Sequence, residues 1–183
     1  MVYEAYRTAV SGEPGPVFIE LPANLQLLTG EVDEMPAADI RLERPPLDAQ
    51  KIDAAVAMLS AAKKPGLFVG WGAKDVTDDL VRIADHLGAP VATTLQGLGV
   101  FPGDHPLHTG MGFGRSAVPA AENAFADCDV MLAVGTRFAE ICTGSYGAVP
   151  PEKLIHIDIN PDAIGANHMT PVGIHADSRD AIP

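Results

Sequence analysis

Glycines occur with turn-forming and polar residues in five segments of this chain, where the backbone could approach a ligand. Four of them follow predicted strands: Gly70-Trp71-Gly72-Ala73, Thr94-Leu95-Gln96-Gly97-Leu98-Gly99, Gly135-Thr136-Arg137-Phe138 and Asp158-Ile159-Asn160-Pro161. The fifth, Gly110-Met111-Gly112-Phe113-Gly114, lies in a predicted long loop. Glycine permits close approach and positive φ, an arginine can bind phosphate or carboxylate, and a carboxylate at a strand end can accept from ribose hydroxyls. We therefore predict a nucleotide-sized crevice whose binding residues are Gly70, Trp71, Gly72, Thr94, Leu95, Gly110, Met111, Gly112, Gly135, Thr136, Arg137, Phe138, Asp158 and Ile159.

Each segment also has a simpler interpretation. Gly70-x-Gly72 lacks the third glycine of a dinucleotide fingerprint, since Asp75 stands there and its carboxylate would repel a pyrophosphate. Arg137 could pair with Glu140, and Asp158 could form a turn before Asn160. Gly110–Gly114 could be a flexible loop, so both interpretations stay open at this point.

Catalytic groups are not apparent. His105 and His108 lie close together, but no cysteine or carboxylate pair completes a metal site. His156 is better suited to a structural hydrogen bond than to chemistry. Cys128 and Cys142 show neither metal-type spacing nor a nucleophile setting. Nucleophile elbows, P-loops and His-Glu-x-x-His motifs are absent from the sequence.

Composition excludes several functional classes. The 183 residues have a formal net charge of −12 and no basic cluster, so nucleic acid and anionic membrane surfaces are not expected partners. No apolar stretch is long enough to span a bilayer, and no signal peptide is visible. Two cysteines without metal-type spacing indicate reduced thiols, and we expect a cytoplasmic protein.

Helices and strands alternate from residue 47 onward. Helices are predicted from Asp48 to about Lys63, with Ile52, Val56 and Leu59 inward, then from Thr77 to Leu87 and from a Ser116 cap to Phe125. The predicted strands are 67–69, 90–94, 130–134, 154–159 and 172–175. Fully apolar strands alternating with helices predict an α/β, three-layer, doubly wound parallel sheet of Rossmann-like type. Ligands bind such sheets at the carboxyl ends of the strands.

Residues 1–46 are organised differently. A helix is predicted over 2–11 and a strand over 16–21, followed by an acidic, proline-containing linker over 26–46. A lone helix and strand cannot bury their own apolar faces. We therefore expect residues 1–25 to be the end of a truncated preceding domain, either disordered or packed on another copy of the chain. The main domain would be 47–183.

Several motifs in order resemble thiamine-diphosphate-dependent enzymes of the acetolactate synthase-like family. Residues 15–22 with Asn24 and Gln26 resemble the close of their pyrimidine-binding domain. Six further segments resemble the central domain of these enzymes: Lys64-Pro65, 69–72, 90–99, 127–130, 135–138 and 156–161. The similarity covers nearly the whole chain.

This resemblance implies that the chain is a central domain, inactive alone, of a transferase or lyase acting on carbon–carbon bonds next to a carbonyl. Thiamine diphosphate and Mg²⁺ would bind in neighbouring domains, and the parent would be a homo-oligomer. Relatives carry FAD, ADP or nothing in this domain, and the five segments would supply any flavin contacts. Ile141 replaces the second arginine of the Arg-Phe-Asp-Asp-Arg motif found in acetohydroxyacid synthases, which weakens the case for flavin. A free-standing NAD-type oxidoreductase domain and a ligand-free spacer are the alternatives.

Overall fold

The computed structural model describes residues 1–31, 33–34, 37 and 44–183, and the chain divides into two compact units, Met1–Arg44 and Pro45–Pro183. The first unit contains α1 (Val2–Val10) and α2 (Ala23–Leu27). The predicted strand over 16–21 is wrong, since these residues form no strand and the Phe18 side chain is 87% exposed. Part of the predicted linker lies outside the described residues.

The second unit contains a six-stranded sheet in which every neighbouring pair is parallel. The strands lie in the order β3-β2-β1-β4-β5-β6, which is the order of doubly wound dinucleotide-binding folds. This confirms the predicted fold class. The strands are β1 (Pro65–Val69), β2 (Val91–Thr93), β3 (His108–Met111), β4 (Val130–Val134), β5 (Lys153–Asp158) and β6 (Val172–His175). The helices are α3 (Ala49–Ser60), α4 (Thr77–Leu87), α5 (Pro119–Phe125) and α6 (Ser178–Ala181), with 3₁₀ turns at Trp71–Ala73 and Ile141–Thr143.

Both faces of the sheet are covered, because successive side chains of a strand point to opposite sides. Leu67 and Val69 of β1 lie in one apolar cluster with Leu80 of α4. Phe68, between them, lies in a second cluster with Phe125 of α5. Two separate cores on opposite faces make the architecture three-layered.

The first helix of this unit begins as predicted, and its predicted inward residues Ile52 and Leu59 pack against the core, whereas Val56 does not. The Asp48 carboxylate accepts hydrogen bonds from the Gln50 and Lys51 amides at 3.1 and 3.3 Å, which caps α3. Ala55 is the buried residue of the helix, whereas Val56, predicted to point inward, is 56% exposed. Val56 lines an open, largely apolar groove of about 890 Å³ between α3 and α4.

The segment between β2 and β4 differs most from the prediction. Residues expected to be loop form the edge strand β3, so Gly110 and Met111 belong to the sheet. Ser116 does not cap the next helix, because α5 begins at Pro119 after Val118. Proline suits that first position, where its missing N–H has no helical partner.

Among the described residues, no helix reaches the length and apolar character that crossing a bilayer requires.

Candidate functional site at the carboxyl edge of the sheet

The strand order reverses between β1 and β4, and this brings the loops after these two strands side by side. The Gly70 amide donates to the Val134 carbonyl at 2.9 Å, and the Gly72 amide donates to the Gly135 carbonyl at 3.2 Å. Two of the predicted segments, 70–73 and 135–138, therefore meet at the switch point. That is where doubly wound sheets bind their ligands.

Glycines are required here because the two loops lie in direct backbone contact. A Cβ atom on Gly72 would lie 2.8 Å from the Gly135 Cα atom, and one on Gly135 would lie 2.5 Å from the Gly72 Cα atom. A Cβ atom on Gly97, in the loop after β2, would lie 2.7 Å from the Val69 carbonyl oxygen. The space beside these glycines is filled by neighbouring backbone, so the missing side chains serve loop packing.

The glycines of the fifth segment have a different role. Gly110, Gly112 and Gly114 have φ values of +97°, +72° and +74°, which lie in the region that L side chains rarely adopt. The Gly112 amide donates to the Thr93 carbonyl at 2.9 Å. The segment is therefore fixed against the end of β2 instead of being a free loop.

The predicted site residues divide into exposed and buried groups. Trp71, Leu95 and Met111 are 58%, 45% and 38% exposed, and Arg137 is also exposed. The buried Thr94 hydroxyl accepts a hydrogen bond from the Gly97 amide at 3.0 Å. The exposed side chains can be reached from solvent, whereas Thr94 shapes its own loop.

Asp158 is buried at the end of β5, and one of its carboxylate oxygens accepts from the Asn160 amide at 2.8 Å. This is the turn-forming interaction expected of an aspartate before Asn160-Pro161. Ile159 is half-buried, and its carbonyl oxygen lies 3.0 Å from Nε2 of His175. The structure therefore gives Asp158 a turn role.

The loop that presents Arg137 is anchored by buried aromatic side chains. Phe138 has φ +50° and is only 2% exposed. Its ring meets the His156 ring edge-on, with centroids 5.3 Å apart, and lies 5.4 Å from the Phe68 ring. The Arg137 backbone is consequently fixed on its carboxyl side by a core residue.

His156 makes the structural hydrogen bond that its position on β5 predicted. Its Nε2 atom lies 2.7 Å from the Thr136 carbonyl oxygen, to which it donates. Burial lowers the pKa of His156, and the bond to Thr136 only partly opposes that effect. The ring is therefore neutral near pH 7, with its proton on Nε2.

Asn167 was not singled out in the sequence, yet it supports the loop of Arg137 from a different segment of the chain. It lies between β5 and β6, and its Nδ2 atom donates to the Arg137 and Phe138 carbonyls at 3.0 and 3.2 Å. An asparagine in an irregular, polar stretch shows no periodicity that could have identified it.

The amino end of α4 is acidic. Asp78 and Asp79 lie in its first turn, and Asp75 precedes it, paired with Lys74 at 2.9 Å. Their negative charges offset the partial positive charge by which a helix amino terminus attracts anions. A phosphate at the turn from β1 to α4 would therefore meet electrostatic repulsion from these carboxylates.

Neither cysteine is suited to nucleophilic chemistry. Burial raises the pKa of the Cys128 thiol to about 11 and also raises the pKa of Cys142. Within the part of the chain that the structure describes, no group of three or more His, Cys, Asp or Glu residues is placed to hold a metal ion.

Comparison with known proteins shows extensive similarity. Residues 52–183 match the family described as "Thiamine pyrophosphate enzyme, central domain". The chain is 37% identical to the acetolactate synthase large subunit of Corynebacterium glutamicum over 98% of its own length and 29% of that protein. It is 35% identical to the probable acetolactate synthase large subunit of Methanocaldococcus jannaschii over 97% of its own length and 31% of that protein. Among solved structures, a putative thiamin diphosphate-dependent enzyme from Mycobacterium smegmatis gives a TM-score of 0.78 at 26% identity, covering 99% of this chain and 35% of that one.

Proposed function

Because the chain belongs to the family of thiamine pyrophosphate enzyme central domains, we propose that it holds an adenine nucleotide, FAD or ADP, at the carboxyl edge of its sheet. The ADP group common to both molecules is the part that this domain recognises. The domain works within a larger thiamine-diphosphate-dependent enzyme that makes or breaks a carbon–carbon bond next to a carbonyl.

The observation that best supports this proposal is the exposure of Arg137 in the loop after β4, beside the switch point. A guanidinium forms charge-assisted hydrogen bonds to phosphate oxygens. The exposed side chains of Trp71, Leu95 and Met111 on the same edge offer apolar surface for a flat ring. The acidic start of α4 disfavours phosphate there, which leaves the Arg137 side for the diphosphate.

The chemistry of the parent enzyme is assigned to neighbouring domains. The chain spans about a third of the length of the relatives described above. Its cysteines are poor nucleophiles, and His156 is used in a buried hydrogen bond. We therefore place thiamine diphosphate and Mg²⁺ outside this chain and propose a homo-oligomeric parent. Residues 1–25 would belong to a preceding pyrimidine-binding domain, 26–46 to a linker and 47–183 to the central domain.

An NAD-type oxidoreductase domain is the less favoured alternative. Dinucleotide-binding folds place the pyrophosphate at the amino end of the helix after β1. In this chain that helix is α4, whose start carries Asp75, Asp78 and Asp79. A ligand-free spacer is favoured by one observation, the mutual packing of Gly72 and Gly135, which explains these glycines without a ligand.

Isothermal titration calorimetry of the purified chain separates these functions. FAD, ADP, NAD and thiamine diphosphate are titrated separately under identical conditions. Binding of ADP or FAD supports the proposal, and both would bind if the shared ADP group is recognised. If NAD binds and neither ADP nor FAD does, the oxidoreductase domain is supported. If none of the four compounds gives more than its heat of dilution, the ligand-free spacer is supported. Turnover of pyruvate by the isolated chain with thiamine diphosphate and Mg²⁺ would contradict the assignment of chemistry to other domains.

A further inference from the structure

We infer that Asn167 is a positioning residue for nucleotide binding, acting through Arg137; this inference rests on the proposed function. Its side-chain amide donates to the Arg137 and Phe138 carbonyls, which belong to the peptide groups on either side of the Phe138 Cα atom. We infer that it thereby fixes the direction in which the Arg137 side chain leaves the loop. Asn167 itself need not touch the nucleotide.

This role is supported by hydrogen bonds from one side-chain amide to two consecutive backbone carbonyls. The Nδ2 atom of Asn167 donates to the Arg137 oxygen at 3.0 Å and to the Phe138 oxygen at 3.2 Å, across 30 and 29 residues of sequence. His156 bonds to the carbonyl immediately before them, that of Thr136, at 2.7 Å. Three successive peptide groups are thus oriented by side chains from β5 and the segment after it.

Such orientation is needed because the loop adopts an unfavourable backbone conformation. Phe138 has φ +50°, a region that a residue with a Cβ atom avoids unless its surroundings hold it there. The buried Phe138 ring supplies one restraint and the Asn167 amide supplies another. Without the amide, the loop would spend less time in the conformation that presents Arg137 at the edge of the sheet. The apparent affinity for a ligand decreases in proportion to the fraction of molecules that still have the binding-competent loop conformation.

Asn167 is an accessible target for mutation because its side chain is exposed. Asn167→Ala leaves no buried cavity, and Asn167→Asp keeps the size while removing both N–H donors. Asn123, an exposed asparagine on α5, provides the matched control as Asn123→Ala. Calorimetry with ADP and with FAD measures affinity, and thermal melting measures stability for each variant.

We expect Asn167→Ala and Asn167→Asp to weaken nucleotide binding about tenfold, which is about 1.4 kcal/mol, while Asn123→Ala binds as the wild type does. A general loss of structure could imitate this result, so the decisive readout is a double-mutant cycle with Arg137→Met. If Asn167 acts through Arg137, adding Asn167→Ala to Arg137→Met causes no further loss of affinity.

The outcomes are distinguishable. If the wild type binds nucleotide and Asn167→Ala binds equally well, the positioning role is overturned and the proposed function stands. A tenfold loss that persists in the Arg137→Met background also overturns the role, because the effect then does not pass through Arg137. Failure of the wild type to bind ADP and FAD overturns the proposed function, and this inference with it.

Discussion

Gly135→Ala adds one methyl group at the point where the loops after β1 and β4 meet. Gly135 has φ +59°, and the new Cβ atom would lie 2.5 Å from the Gly72 Cα atom. Real Cβ atoms essentially never approach another atom so closely, so the backbone itself must move. Gly88 provides a matched control, because it also has φ +59° but a Cβ atom there would meet nothing within 4 Å.

The two substitutions share one energetic contribution and differ in another. Forcing alanine into the left-handed region costs about 1–2 kcal/mol, and the reduced entropy of the unfolded chain returns about 0.4–1 kcal/mol. Gly88→Ala should therefore destabilise the fold by about 1 kcal/mol. Overpacking adds about 1–3 kcal/mol, so Gly135→Ala should cost about 3 kcal/mol in total.

Differential scanning calorimetry or thermal melting by circular dichroism measures the difference. At about 3 °C per kcal/mol for a domain of this size, Gly88→Ala should lower the Tm by about 3 °C and Gly135→Ala by about 9 °C. Equal losses in the two variants would refute the conclusion that these glycines are required for loop packing. The space at Gly135 would then be available to a ligand.

Three further predictions concern single side chains. Asp48→Ala removes the cap of α3 and should cost about 1 kcal/mol, seen as a Tm lower by about 3 °C; an unchanged Tm contradicts the capping role. His156 has a pKa below its ordinary value when folded, so the unfolded chain binds more protons and stability falls as the pH decreases below about 6.5. In His156→Gln, the free energy of unfolding measured in urea should change less steeply with pH, by at most about 1.4 kcal/mol per pH unit. Part of the pH dependence should remain because the pKa of His168 is also lowered; an unaltered pH dependence would refute the role of His156. With a pKa of about 11, Cys128 should react with iodoacetamide at pH 8 roughly a hundredfold more slowly than free cysteine. Mass spectrometry measures both rates, and equal rates for Cys128 and free cysteine would contradict the raised pKa.

The sheet was predictable because its central strands have strong local signals. Val130–Val134 is apolar at every position and is buried throughout, as a strand covered on both faces must be. Edge strand β3 was missed because His108–Met111 is short, contains a glycine and shows no alternation of polar and apolar residues. Residues 16–21 gave the opposite error, since their β-forming side chains have no strand partner in the described part of the chain.

The meeting of the glycine-rich loops at one edge of the sheet was predictable from the sequence, whereas the roles of individual residues in those loops were not. Glycine-rich strand ends pointed to the carboxyl edge, where the structure brings segments 70–73 and 135–138 into contact, while ligand binding there stays a prediction. Gly72 and Gly135 are in close backbone contact, although their loops are more than 60 residues apart in the sequence. Residue spacing within one segment cannot reveal such a contact. Asn167 was missed for the same reason, since its hydrogen-bond acceptors lie 29 and 30 residues earlier.

Nuclear magnetic resonance of the ¹⁵N-labelled chain during titration with ADP tests nucleotide binding at the carboxyl edge most directly. Saturable shifts in the amide signals of residues 110–114 and 135–138, with little change in α3 and at the amino ends of the strands, are the predicted result. No saturable shifts, or shifts concentrated around the groove between α3 and α4, would contradict it.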